Sequence, residues 1–255
     1  MSHQVQINYE AIAIQCNSIC EVAEKQLKEL DRLLAEIESE STQLLNEQTR
    51  ALKRQILSER ESLLEEMKQL RERADRRTLS STREATNLQK RVNELASQKI
   101  IAFEETLRTL LGDKLQDNQR KLLEGSNGVI TIDAQTQKLL DGIQDVVLRQ
   151  FVYIAYLKDN TLSGNALLKA GQALMGQTYE SRIQEEQAKI RAEMEAARVD
   201  KSTIDKVVTE GKTIAEIREN ATTEIVGEKV RQKSLKIIMD AVQKRGFIVD
   251  KKNIK

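Results

Sequence analysis

From Met1 to Leu111 the chain contains neither glycine nor proline, and no proline follows anywhere in its 255 residues. Those two residues stop helices, glycine through its backbone entropy and proline through its missing amide and its clash with the preceding turn. So long a stretch without either predicts helix nearly throughout. Of all residues 32% are charged and only 3% aromatic. Aromatic rings normally supply much of a core's buried area. The sequence therefore predicts an all-α protein of long solvated helices joined along aliphatic stripes. Its Leu, Ile and Val content, without proline, separates it from disordered chains.

The stripes follow heptads. Cys20, Ala23, Leu27, Leu30, Leu34, Ile37, Ser41 and Leu44 alternate in steps of three and four, which puts them on one side of a helix. The register then slips. Thr49, Leu52, Ile56, Leu63, Met67, Leu70 and Ala74 carry it on; Ala85, Leu88, Val92 and Leu95 form a third segment, and Ile100, Phe103, Leu107 and Leu110 a fourth. Polar residues enter the seam at Ser41, at Gln48 or Thr49, and at Glu59 or Arg60, where they lower stability but define register. The flanks carry Glu24, Asp31, Glu38, Glu40 and Glu47, an acidic edge that disfavours a simple parallel homodimer. Leu33 and Leu45 widen the stripe toward a bundle or hairpin. Ser81-Thr-Arg-Glu84 fits a capping box, marking a break at 78–81. Without that break, residues 7–77 would form a rod of ~105 Å. Residues 1–111 thus read as a long coiled-coil helix or a helical hairpin.

Glycines resume at Gly112, and 112–128 reads as a linker. Val129–Ile132 reads as a short strand or, with Asp133, as the approach to a capped helix. Leu140, Ile143, Val147, Phe151 and Ile154 form one face of that helix, and Val146, Tyr153 and Leu157 another, so it is expected to be buried. After a turn at 158–164, Ala166, Ala170, Gly171, Ala173 and Gly176 suit close helix packing. Residues 112–176 read as a compact helical junction. Residues 177–246 read as a second charged arm with a stripe at Ile183, Ile190, Met194 and Ala197, an N-cap at Ser202, a weak point at Gly211, and a further stripe through Ile214, Ile217, Ala221, Ile225, Val230, Leu235, Ile238 and Val242. Gly246 suits a helix end, and 247–255 is a basic tail whose Phe247–Val249 could form a short strand.

Chemistry is sparse. The one histidine, His3, is the third residue, which excludes triads and imidazole-ligated metals built from this chain alone. Cys16 and Cys20 share a helical face with no further Cys to complete a metal site, and small apolar seam residues are the simpler reading. Gly211-Lys-Thr213 lacks the glycine spacing of a phosphate loop. The pairs Glu65-Glu66, Glu104-Glu105 and Glu185-Glu186 read as solvated, so no carboxylate is expected to act as an acid. No motif requires a cofactor, and an enzyme is not expected. The longest wholly apolar run, 151–157, is too short to span a membrane, and the first ten residues lack a secretory signal, so a reducing cytoplasmic location is expected.

Charge is balanced at +1 overall, but 229–255 carries nine basic and two acidic residues. Lys229, Arg231, Lys233, Lys236, Lys244 and Arg245 are therefore the expected contacts for an acidic partner. The seam residues Leu27, Leu30, Leu34, Ile37, Leu44, Leu52, Ile56, Leu63, Met67 and Leu70 are the expected contacts for a second copy or another protein. The function expected is a structural scaffold that oligomerises through coiled-coil helices and positions partner proteins. A membrane-associated helical polymer and a nucleic-acid-associated arm are the alternatives, both using the basic segment.

Overall fold

The computed structural model describes residues 3–41, 47–111 and 132–245. The fold is all-α, and no strand occurs among the described residues. In chain order the helices are α1 (His3–Ser41), α2 (Glu47–Asp75), α3 (Arg83–Glu94), α4 (Ile100–Leu111), α5 (Ala134–Gly142), α6 (Val146–Lys158), α7 (Gly164–Ala196), α8 (Lys201–Glu210) and α9 (Ile214–Lys244). A five-residue π turn, Leu95–Lys99, joins α3 to α4. The expected linker at 112–128, the strand at 129–131, Gly246 and the tail at 247–255 lie outside the described residues.

The N-terminal stripes meet each other. Glu24 pairs with Arg71 at 2.7 Å, Asp31 with Arg60, and Asn17 donates to Asp75 at 3.3 Å, so α2 runs antiparallel to α1. Arg73 with Glu84, Arg91 with Glu66 and Lys99 with Glu59 set α3 and the π turn antiparallel to α2. Two acids of the α1 flank, Glu24 and Asp31, thus find cations on α2 of the same chain. Apolar faces follow: Leu27, Leu30, Leu34, Leu52, Ile56, Leu63, Met67 and Leu70 are all buried in one cluster with Leu88, Val92, Leu95 and Phe103. This corrects the expectation that these residues await a second chain, since their partners are helices of their own chain. Ile37 lies on α1, and Leu44 lies outside the described residues. The single rod is likewise replaced by a reversal between α1 and α2, where the heptad register slips.

The chain turns after α2 and after α7 share a local cause. After α2 the Arg77 amide donates to Ala74 O and the Thr78 amide to Arg73 O, with Arg77 at φ 55°. After α7 the same pattern places Arg198 at φ 65°. This is the left-handed helix stop that glycine usually occupies, and a side chain there costs roughly 1–2 kcal/mol. The break near 78–81 is therefore present, but its cap is not Ser81. Thr82 stands at the N-cap without a side-chain bond, and Glu84 is held by Arg73 instead. Similarly Asp200, not Ser202, caps α8 by accepting from the Thr203 amide at 3.0 Å. Asp133 does cap α5, accepting from the Thr136 amide at 2.9 Å.

The junction helix expected across 134–157 is two helices. Asp145 accepts from the amides of Val147 and Leu148 and so starts a new helix after Ile143. From Phe151 to Leu157 every residue of α6 is buried, with α2, α4 and α7 around it. Gly171 of α7 lies so close to α6 that a Cβ would stand 2.7 Å from the Val152 Cα, the close approach its small size permits. Gly211 plays the same part between α8 and α9, against Ile217.

Several polar groups inside this core are paired in layers, while the Ser18 and Tyr153 hydroxyls are buried without a partner among the described residues. The Asn93 side-chain oxygen accepts from Gln26, Gln89 and Thr222, each at 3.3 Å, linking α1, α3 and α9. Gln150 donates to Thr106 at 2.8 Å and Thr49 at 3.4 Å, linking α6, α4 and α2. A charged layer joins α4, α7 and α9: Arg182 pairs with Glu104, Glu186 accepts from Lys189 at 2.9 Å and from Arg218 at 3.1 Å. Arg182, Glu186 and Arg218 are buried. This corrects the expectation of solvation for Glu104 and Glu186, while Glu185 is exposed as expected. Burial alone would raise the Glu186 pKa, but Lys189 and Arg218 outweigh it and hold the carboxyl below its ordinary value of 4.5. A carboxyl with a depressed folded pKa stabilises the fold above its unfolded pKa and loses that contribution as pH falls through the folded one. Urea midpoints are therefore expected to fall below about pH 4.5. Glu186→Gln should cost about 3 kcal/mol at neutral pH and flatten that acid limb. An acid limb unchanged by the substitution would contradict the assignment.

Candidate docking surface

The start of α9 is built into the body. Thr213 caps it by accepting from the Glu216 amide at 3.2 Å, and Glu216 accepts from the Lys212 amide at 3.0 Å. Ile214, Ile217, Ala221, Ile225 and Val226 follow at helical spacing and are all buried. Val226 is the last buried residue of α9. The helix nevertheless continues to Lys244.

What holds the remainder is mostly charge. Thr222 lies level with Gln26 through Asn93, whereas Lys229 and Lys233 reach Glu21, so α9 runs antiparallel to α1. The Glu21 contacts are 3.4 Å to Lys229 and 2.6 Å to Lys233. Burial acts to raise the Glu21 pKa, and the two lysines more than offset it, lowering the pKa overall. Arg231 is taken up locally, donating twice to Glu228 at 2.7 and 2.6 Å. Lys236, Lys244 and Arg245 are exposed and have no acidic partner among the described residues. The six cations predicted from sequence thus divide: three serve the fold, and three remain for something else.

The apolar residues of this segment divide too. Leu235, Met239 and Val242 are half-buried. Ile237 and Ile238 are 45% and 58% exposed, the only large hydrophobics so exposed among the described residues. Ile238 was expected to continue the buried stripe, and the structure corrects this. Adjacent residues on a helix are ~100° apart, so an Ile-Ile pair cannot lie wholly against one neighbour. Together the two isoleucines leave roughly one side chain's worth of apolar surface in water, about 1.5–3 kcal/mol if fully covered. That is too little to hold a partner alone, since a millimolar Kd already needs about 4 kcal/mol. The free cations must supply the rest.

Other features are less suited to a site. Cys16 and Cys20 are buried and unbridged, and burial pushes the Cys20 thiol up to about 11, so neither is poised as a nucleophile. A cleft of about 660 Å³ opens where the π turn, α6, α7 and α9 meet, walled by Val147, Met175, Tyr179, Ile183 and Ile214. Its Tyr179 hydroxyl donates to Gln98 O at 3.4 Å, and burial raises its pKa, so it is no base. Among the described residues no group of His, Cys, Asp or Glu is arranged to hold a metal, and no helix is long and apolar enough to cross a membrane.

Compared with known proteins, the chain matches no family model, no curated protein and no solved structure.

If the end of α9 is a surface rather than a support, Ile237→Ser with Ile238→Ser should change folding stability by less than about 0.5 kcal/mol in urea denaturation. Ile225→Ala, one turn inside the core, should cost about 2–5 kcal/mol. Comparable losses at both places would show that the isoleucines belong to the fold.

Proposed function

We propose that the protein is a non-enzymatic structural adaptor, a helical body placed within a larger assembly by the end of α9 docking on an acidic partner. The observation that carries this reading is the coincidence at 236–245 of exposed isoleucines with three cations that no carboxylate of the described chain neutralises. The body behind this segment supports it: α9 is fixed to α1, α3 and α7 over its first half, so the docking end is held in a defined direction. Oligomerisation through the N-terminal heptads is not needed for this role, because those stripes already have partners within the chain.

The reading is tested by placing a photo-crosslinking amino acid at position 238 of the full-length chain in its native cell, with position 223, exposed on the core half of α9, as control. A discrete adduct, to a protein or to lipid, is expected at 238 and absent at 223. It should disappear when Lys236→Glu, Lys244→Glu and Arg245→Glu are combined. Equal labelling at both positions, or an adduct that survives the charge reversals, would contradict the proposal.

A further inference from the structure

The chemistry of this surface narrows the acidic partner further, on the footing of the docking role just proposed. We infer that the partner is an anionic lipid bilayer, and that residues 236–245 of α9 lie along its surface with the helix axis in the membrane plane.

Three observations lead there. First comes the arrangement around the helix. Ile237 and Ala241 are four apart and share one face of the end of α9, with Ile238 beside it, and all three are exposed, whereas Val230 packs against the body. Lys244 and Arg245 lie beside this face toward the end of the helix, while Arg231 and Lys233 are held by Glu228 and Glu21. Long basic side chains at the margins of an apolar strip can extend their charged ends to lipid phosphates while their stems lie along acyl carbons.

Second is the extent of the patch. A stable protein–protein contact buries about 800 Å² on each partner around an apolar centre. Two adjacent half-exposed isoleucines offer no such centre. A bilayer makes no demand for shape complementarity; its attraction adds up residue by residue from basic charge near the surface and from each apolar group that enters the interface.

Third is what nucleic acid would leave unused. A phosphate backbone would engage Lys236, Lys244 and Arg245, but it would leave Ile237 and Ile238 in water. The described part of α9 also has no aromatic ring on which a base could stack. A lipid surface uses both halves of the patch, the cations and the isoleucines. Asp240, the sole acid in 229–245, opposes adsorption and limits its strength.

The inference is tested by vesicle flotation of the full chain, with liposomes of phosphatidylcholine alone or mixed with phosphatidylserine, at low and high salt. Binding is expected to the mixed vesicles at low salt and not to phosphatidylcholine alone. Combining Lys236→Glu, Lys244→Glu and Arg245→Glu should weaken it more than about tenfold. Ile237→Asn with Ile238→Asn should also weaken it, and both variants should keep the wild-type helical circular dichroism and melting midpoint. A short duplex DNA in place of vesicles forms the competing arm. No binding to the mixed vesicles, or binding unaffected by the isoleucine changes, would overturn the inference. So would DNA binding as tight as vesicle binding. Failure on vesicles alongside a discrete adduct at position 238 would sink the lipid assignment and leave the docking role standing; failure of both would remove both.

Discussion

An amphipathic helix must cover its apolar stripe, and in this protein the covering is done by the chain turning back on itself. The reversal after α1 brings Leu27, Leu30 and Leu34 against the stripes of α2 and α3, and the ion pairs Glu24–Arg71 and Asp31–Arg60 mark the alignment. Everything downstream depends on this arrangement. The same face of α3 that receives α1 also presents Asn93 to Thr222, so the position of α9 follows from the packing of the first three helices. Polar residues at the crossing points add specificity: a slip of one helix by a turn would leave Asn93, Gln89 and Gln26 buried without partners, a penalty of about 1–3 kcal/mol for each group.

Much of this order was legible along the chain. The three-and-four stripes are buried in α2, α3, α4 and the described part of α1, though the buried sets are wider, adding Ile19 and Val22 on α1, Gln89 and Asn93 on α3, and Ile101 and Ala102 on α4. The five-residue step from Leu95 to Ile100 is absorbed by the π turn, whose wider winding keeps both residues facing the core. Polar seam positions also had meaning, since Glu59 and Arg60 each reach a different neighbouring helix. Heptads, however, specify a face and not the owner of the opposing face. Spacing of that kind fits a second copy and a folded-back chain equally well, so the partner assignment for the seam was out of reach.

Other features were hidden for physical reasons that can be named. Two turns place arginine, Arg77 and Arg198, where a reading based on glycine looks for glycine. Glu104 and Glu186 look solvated because their neutralising groups, Arg182 and Arg218, come from other parts of the chain: 78 residues away for Glu104 and 32 for Glu186. The basic segment was recognisable by charge alone, but its division into three structural and three free cations depends on Glu21 and Glu228. The exposure of Ile237 and Ile238 depends on where the body ends, a property of the assembled helices and not of α9.

The central claim is that the apolar stripes of α1 and α2 are satisfied within one chain. Spin labels at Lys28 and Glu65, exposed positions on the two helices, test it by pulsed dipolar spectroscopy. A doubly labelled chain mixed with an excess of unlabelled chain should keep a single short interlabel distance, unchanged by dilution. A distance that vanishes as unlabelled chain is added would mean that α1 pairs with the α2 of another molecule, and would contradict the account.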